Sequence, residues 1–422
     1  MSQKLQPVRG THDLLSEDCR KFRFVIDQAF AVARRYGYGE IATPVFEFSE
    51  VFHRTLGDTS DVVTKETYSF TDRGGEQLTL RPEFTASIAR AFISGNLQDQ
   101  LPLKFFYSGP AFRYERPQKG RQRQFHQLGA ELLGVAEPLG DIEVVSMAWR
   151  ILSILGLGDK VKLEINTLGD AQSRTNYRAA LVEFFKAHEA QLSEDSRKRL
   201  ERNPLRILDS KDEGDRRIIV DAPRMADHLT PEAAAYYSAV KVGLSALGID
   251  YVTNERLVRG LDYYNHTVFE FTTDMLGAQG TVLAGGRYDG LIEIMGGQPT
   301  PGIGFAAGIE RLVSLMDFAS HPNFTPPVRP VAIIPLGEMA EKEAIFLSDH
   351  LRGEGFHVEL GYKGNLKNRM KKADKAHAKI ALIIGDEELT RGIVVMKDLD
   401  DGVQEEVRRE NITEILHQRL KG

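Results

Sequence analysis

The sequence predicts an α+β fold in more than one domain, and three observations carry that prediction. Strand-rich stretches lie on both sides of a helical, highly charged middle section. A segment with four prolines, ASHPNFTPPVRP at 319–330, keeps the chain extended and divides it. The C-terminal remainder, from 331 onward, alternates strand and helix. With 422 residues the chain has room for two or three domains and a sizeable core. The formal net charge is -6, so contact with nucleic acid has to come from local basic surface. Cys19 is the single cysteine, which excludes an internal disulfide and a cysteine-based metal cluster and fits a reducing, cytoplasmic setting. No stretch reaches the length of a signal-peptide core or a membrane-spanning helix, so no membrane is expected among the partners.

Residues 8–13, Val-Arg-Gly-Thr-His-Asp, read as a loop. A helix follows from about Glu17, with Phe22, Val25, Ile26, Ala29 and Ala33 on one face and Gly37 at its C-terminal cap. Residues 40–43 are extended and stop at Pro44, leaving either a subunit interface or a plain edge strand. Tyr68–Thr71 and Gln77–Leu80 form a hairpin closed by Asp72-Arg73-Gly74-Gly75. Arg81-Pro82-Glu83-Phe84-Thr85 then enters a helix capped by Thr85 and ended by Gly95. Glu83 either complements that helix N-terminus or, with the Thr85 hydroxyl, holds an ammonium group; the stretch alone favours the first. Residues 103–108 are a strand, 141–155 an amphipathic helix with acids in its first turn, and 161–167 a strand. From 172 to 247 the pattern is helical and charged, punctuated by Pro204, Pro223 and Pro231, as an insertion within a larger domain would be.

Strand character resumes in LVRGLDYYNHTVFEFTT, 257–273, around the cation Arg259, and again at 281–284. Gly285-Gly286 after that strand permits either a tight turn or close approach of another molecule. PGIGFAAG, 301–308, leads into a helix over 309–316 with Arg311 in its first turn. A cation there opposes the helix dipole, so either solvent or a phosphate satisfies it. Beyond the linker, strands at 331–334, 357–360 and 380–384 alternate with helices at 341–353 and 366–377, an α/β unit with a largely parallel core. Edge strands at 392–397 and 405–408 and a closing helix at 412–420 complete it. Lys363, Lys367, Arg369, Lys371, Lys372, Lys375 and Lys379 accompany one acid, Asp374, and fit either a phosphate-backbone surface or simple solubility.

The stretch FRYERPQKGRQRQFHQLGAE, 112–131, reads as two extended arms around a basic loop. Arg113 and Glu115 share one face of the first arm. Arg116, Lys119, Arg121 and Arg123 lie in the loop without a local acid, and suit either a polyanion or a solvated tip. Arg113, Arg259 and Arg311 lie on three separate segments. No GxxxxGK[ST] loop is present, so a bound triphosphate would be held by arginines on a strand platform.

That stretch resembles motif 2 of class II aminoacyl-tRNA synthetases, PGIGFAAGIERL resembles motif 3, and the helix and strand ending at Pro44 resemble motif 1. LVRGLDYYNHTVFE together with AGGRYDGL is similar to histidyl-tRNA synthetases and their close paralogues specifically, and the resemblance runs along almost the whole chain. It implies a class II catalytic domain on an antiparallel sheet flanked by helices at 1–170 and 251–320. The helical insertion would span 171–250, the linker 321–330 and an anticodon-binding α/β domain 331–422. It implies a homodimer that activates L-histidine with ATP and magnesium and charges histidine tRNA. By motif, Arg259 and Arg113 would be catalytic. Arg113, Glu115, Arg121, Phe125 and Arg311 would bind ATP. Glu83, Thr85, Gln127, Glu131, Arg259, Tyr263, Tyr264 and Tyr288 would bind histidine. Arg116, Gln118, Lys119 and Arg123 would meet the tRNA acceptor end, and no metal ligand set is fixed. Phe84 departs from the family's usual small residue and either narrows the amino-acid pocket or points into the core. His266 falls where the family varies.

Three other readings compete. The regulatory paralogue that partners ATP phosphoribosyltransferase lacks the anticodon domain and loses signature arginines, whereas Arg113, Arg259, Arg311 and residues 331–422 are all present here. A synthetase of other specificity would not carry Glu131 and Tyr264 in these motifs. A non-enzymatic RNA-binding protein would not need arginines on three segments.

Overall fold

A mostly antiparallel sheet of eight strands forms the centre of the first of two units, Met1–His321 and Pro322–Gly422. The structure, a computed structural model, describes residues 4–56, 66–116, 121–208, 210–258 and 263–420. The large sheet contains β1 (Gly39–Glu40), β5 (Leu103–Phe112), β6 (Gln124–Leu133), β7 (Lys162–Thr167), β8 (Tyr251–Thr253), β9 (Asn265–Thr272), β10 (Thr281–Arg287) and β11 (Gly302–Gly308). Its order is β1-β5-β6-β11-β10-β9-β7-β8, parallel only at the outer pairs β1·β5 and β7·β8. A separate antiparallel sheet has the order β2-β4-β3, with β2 (Phe46–Phe48), β3 (Tyr68–Thr71) and β4 (Gln77–Leu80). Asp72 closes its hairpin by accepting from the Gly74 and Glu76 amides at 2.8 and 2.9 Å, and Gly75, at φ +92°, takes the left-handed position.

Helices cover the sheet because their apolar stripes have nowhere else to go. Helix α1 (Ser16–Arg35) buries Phe22, Val25, Ala29, Val32 and Ala33, and ends with Gly37 in the left-handed conformation. Helices α2 (Ser49–Leu56) and α3 (Thr85–Ser94) flank the small sheet. Helix α4 (Pro138–Ile154) starts at proline, earlier than its acids suggest, because a proline at the first helical position costs nothing. Helices α5 (Ala171–Ala187), α6 (Glu194–Arg202) and α7 (Glu213–Ile219) have their own core, which includes Leu181, Phe185, Ile207 and Met225. Asp215, fully buried among them, accepts from Ser193, Ser196 and Ser210 hydroxyls at 2.6 to 2.7 Å. Helix α8 (Pro231–Ala246) instead contributes Tyr237, Val240 and Leu244 to the main core. The short α9 (Leu291–Ile294) and α10 (Ile309–Leu315) complete this unit. Each large aliphatic side chain buried in this way contributes about 1.5–3 kcal/mol.

The second unit has strand order β13-β12-β14-β15-β16, from β12 (Val331–Leu336), β13 (Val358–Leu360), β14 (Ile380–Gly385), β15 (Ile393–Asp398) and β16 (Gln404–Arg408). The first three are parallel and the last two antiparallel. Helices α11 (Glu338–Gly353), α12 (Leu366–Lys375), α13 (Asp386–Thr390) and α14 (Ile412–Leu420) pack on it. The basic series is smaller than its sequence suggests. Arg369 is buried, donating to the Pro335 carbonyl and pairing with Glu341 at 3.0 Å. Lys379 is neutralised by Asp398 and Asp400 at 3.0 and 2.8 Å. Lys363, Lys367, Lys371, Lys372 and Lys375 remain exposed.

Arg287, at the end of β10, is the largest fully buried side chain among the described residues. Its guanidinium pairs with the equally buried Asp141 of α4 and with Asp289, at 2.9 Å from the latter, and donates to the Val135 carbonyl. Tyr236 of α8 donates to the same Asp141 carboxylate at 2.7 Å. Removing one partner of a buried ion pair leaves the other charge uncompensated. Asp141→Ala should therefore lower unfolding free energy by on the order of 3 kcal/mol in urea titration. A loss below about 1 kcal/mol would show that Asp289 alone suffices to hold Arg287.

Candidate active site

The strand termini around β6, β10 and β11 enclose a cavity of about 210 Å³. One group of its lining residues comprises Glu83, Thr85, Gln127, Tyr263, Tyr264 and Tyr288, and another Arg113, Glu115, Arg121, Phe125 and Arg311. Segments far apart in sequence thus converge on one space. Arg259, Gln118 and Lys119 lie outside the described residues.

Register explains the floor. Glu131 of β6 pairs with Gly304 of β11, and Gly304 pairs with Gly286 of β10. A side chain at 304 could not coexist with Glu131, since a Cβ there would fall 1.6 Å from Oε2. Gly285 and Gly286 are not a turn after a strand, because β10 continues through both to Arg287. A Cβ on Gly286 would meet the Tyr264 ring at 2.9 Å, so the close approach there is made by the chain's own tyrosine.

Glu131 is 1% exposed and sits directly beneath the floor. Thr85 donates to Oε1 at 2.7 Å and Tyr288 to Oε2 at 2.5 Å. Burial pushes its carboxyl up to about 8 against those stabilising hydrogen bonds. Tyr288 is held between the two ends of the Arg287 cluster: its amide donates to the Gly302 carbonyl at 2.7 Å, and Asp289 accepts from the Gly302 amide at 3.2 Å. Tyr263 lies 4.6 Å from Tyr264 and 5.9 Å from Tyr288, ring centre to ring centre.

Glu83, 5% exposed, caps α3 by accepting from the Thr85 and Ala86 amides at 2.5 and 3.0 Å. Thr85 is therefore not the cap expected from sequence; it is the first helical residue, and its hydroxyl is turned to Glu131. Burial raises the Glu83 carboxyl as well, with Arg113 among the groups that oppose the rise. Gln127 Oε1 is buried without a hydrogen-bond partner. Two desolvated carboxylates and an unused amide oxygen make this part of the cavity a receptor for a cation.

Arg113 is not in a strand. β5 ends at Phe112, and the next residues follow an irregular path because the Tyr114 amide bonds Glu66 rather than β6. The Arg113 side chain is nevertheless fixed, donating to the Pro82 carbonyl at 3.0 Å and lying 5.3 Å from the Phe125 ring centre. Arg121 does have a local acid, since Glu115 pairs with it at 2.6 Å. Burial and then the Arg121 charge lower the Arg311 guanidinium, whose donor reaches the Thr281 carbonyl. Guanidiniums gathered this closely, with Arg121 and Arg113 both opposing the Arg311 charge, can chemically take several phosphates. Arg123 is held back over the Tyr114 ring at 4.1 Å, and Arg116 is exposed.

Sequence reasoning missed Tyr107 and Glu310. Tyr107 lines the cavity opposite Gly129, and a glycine facing an aromatic within a strand pair is the signal that marks it. Glu310 lines the cavity beside Arg311 and holds His126, accepting from its amide at 2.9 Å and contacting Nδ1 at 2.9 Å.

Comparison with known proteins agrees with this outline. The family model for histidyl-tRNA synthetase matches residues 10–312, and that for an anticodon binding domain matches 330–419. A histidine–tRNA ligase of Rhodospirillum rubrum is 57% identical over 405 residues, 96% of each chain. One of Gluconacetobacter diazotrophicus is 54% identical over 413 residues, 98% of each chain. The apo structure of S. aureus histidyl-tRNA synthetase superposes with a TM-score of 0.81 at 35% identity, covering 98% of this chain and 99% of that one.

A buried carboxyl raised to about 8 keeps its proton in the folded chain well above the ordinary range, where the unfolded chain has already lost it. Stability of the ligand-free protein should thus fall between pH 5 and 8 by on the order of 1 kcal/mol per pH unit from Glu131. Glu131→Gln should flatten that slope in urea titrations across the range, and an unchanged slope would place the ionisation elsewhere.

Proposed function

The chain belongs to the histidyl-tRNA synthetase family, and on that premise we propose how its residues divide the work of charging tRNA with histidine. It is an aminoacyl-tRNA synthetase, a ligase that couples histidine to ATP and passes the histidyl group to its tRNA. The observation that carries the assignment of roles is the single cavity itself, which joins a buried acidic end to an arginine-rich end.

Histidine brings an ammonium group to Glu83, Thr85 and the unpartnered Gln127 oxygen. Its imidazole, with one donor and one acceptor nitrogen, is read by Glu131 below and Tyr264 above, with Tyr263 and Tyr288 as walls. Each Glu131 oxygen keeps a second lone pair beyond the one used by Thr85 or Tyr288. ATP lies along Arg113, Arg121 and Arg311, with its adenine on Phe125. Magnesium would be held beside the phosphates by Glu115 or Glu310, the acids on that part of the wall, and would offset phosphate charge.

In the first step the histidine carboxylate attacks the α-phosphorus and pyrophosphate leaves. Arg113 orients the attack, Arg259 offsets charge growing on the α-phosphate, and Arg311 holds the terminal phosphate. In the second, a hydroxyl of the 3′-terminal ribose of tRNA attacks the histidyl carbonyl, the acyl–phosphate bond breaks and AMP leaves. Arg116, Gln118, Lys119 and Arg123 meet the acceptor end, and the lysines of α12 lie on the anticodon-binding unit. A homodimer is supported by the exposed face of the small sheet, where Phe46, Phe48 and Phe70 are 52%, 58% and 44% exposed. A cytoplasmic setting fits the exposed free thiol of Cys19.

The test is exchange of labelled pyrophosphate into ATP, run with each amino acid, followed by charging of purified tRNA. Exchange with histidine alone is expected. Arg259→Ala should lose about 100-fold or more in exchange rate while histidine still binds. Near-normal exchange in that variant would remove Arg259 from the chemistry, and histidine binding without exchange in the wild type would point to a regulatory role.

A further inference from the structure

Phe84 lies between Glu83 and Thr85 at the start of α3, and its surroundings show what the ring does. It is 2% exposed. One face carries the Arg81 guanidinium, 3.8 Å from the ring centre, and the other stacks on Tyr107 at 4.4 Å with 14° between planes. Arg81 is itself immobilised, donating to the Pro110 carbonyl at 2.8 Å and the Thr43 carbonyl at 2.9 Å. The three groups form one layered stack.

The far side of Tyr107 is Gly129, where a Cβ would fall 2.3 Å from the phenol oxygen. The Tyr107 ring therefore occupies a slot between a glycine backbone and the Phe84 face. Its hydroxyl reaches Glu131 Oε1 at 3.5 Å and the Phe305 carbonyl at 3.3 Å. Both are long for O–H···O hydrogen bonds, too weak to fix the phenol on their own. Packing on the ring faces must fix it instead. Resting on the proposed role of Glu131 in reading histidine, we propose that Phe84 is a positioning residue: its ring, part of the cavity lining, holds the Tyr107 hydroxyl beside the Glu131 carboxylate and so sets histidine affinity through Tyr107.

A small residue at 84 would leave one face of Tyr107 open, and the ring could swing away from Glu131. The test is a double-mutant cycle in pyrophosphate exchange with Phe84→Gly, Tyr107→Phe and the pair. Each single variant should raise KM for histidine by about fivefold, the usual effect of losing one neutral hydrogen bond, and leave KM for ATP within about twofold. The pair should be no worse than Tyr107→Phe alone, since without its hydroxyl the phenol has nothing left to position. Phe84→Leu, which keeps bulk and loses the flat face, should fall between wild type and Phe84→Gly, and stands in for it should the glycine variant not fold. Additive effects in the cycle, an equal rise in KM for ATP, or an unchanged KM for histidine would each overturn the proposal. Failure of the wild type to exchange with histidine would instead overturn the functional reading beneath it.

Discussion

Two carboxylates are buried at one pocket, Glu83 in its lining and Glu131 beneath its floor, and the rest of the catalytic unit is arranged around that electrostatic problem. Desolvation raises both, and the Glu83 charge adds to the rise of Glu131. Backbone amides of α3 stabilise one, and the Thr85 and Tyr288 hydroxyls the other. None of these donors brings a full positive charge. A ligand carrying an ammonium group supplies it at the place where it stabilises most, which makes an amino acid with a hydrogen-bonding ring the natural occupant.

Sheet register converts this chemistry into shape. Glu131, Gly304 and Gly286 lie in one row across β6, β11 and β10. Two glycines beside the carboxylate leave room for it and for the Tyr264 ring. Behind the same row, Arg287 and Asp289 tie both sides of Tyr288 to α4 and, through Tyr236, to α8. The buried ion cluster thus belongs to the pocket as much as to the core, because it fixes the backbone that presents a hydroxyl to Glu131.

Much of this was legible in the sequence, for identifiable reasons. Periodicity gave α1 and the alternation of the second unit, and turn chemistry gave the hairpin at Asp72. The motif residues gave most of the cavity lining. What failed depended on tertiary partners. Arg113 reads as a strand residue until the Tyr114 amide is seen to bond Glu66. Thr85 reads as a cap until Glu83 takes both amides. Arg369 reads as one more surface cation until Pro335 and Glu341 bury it. Tyr107 is marked only by its partners, Gly129 across the strand pair and Phe84, which reaches it through the fold.

The most direct measurement is calorimetry of histidine binding near pH 7 in buffers of different ionisation enthalpy. If Glu131 is largely protonated in the empty pocket and accepts a hydrogen bond from bound imidazole, binding releases close to one proton, and Glu131→Gln greatly reduces the release. Binding of histidine with no net proton release in the wild type would contradict a buried, neutral carboxyl as the group that reads the ring.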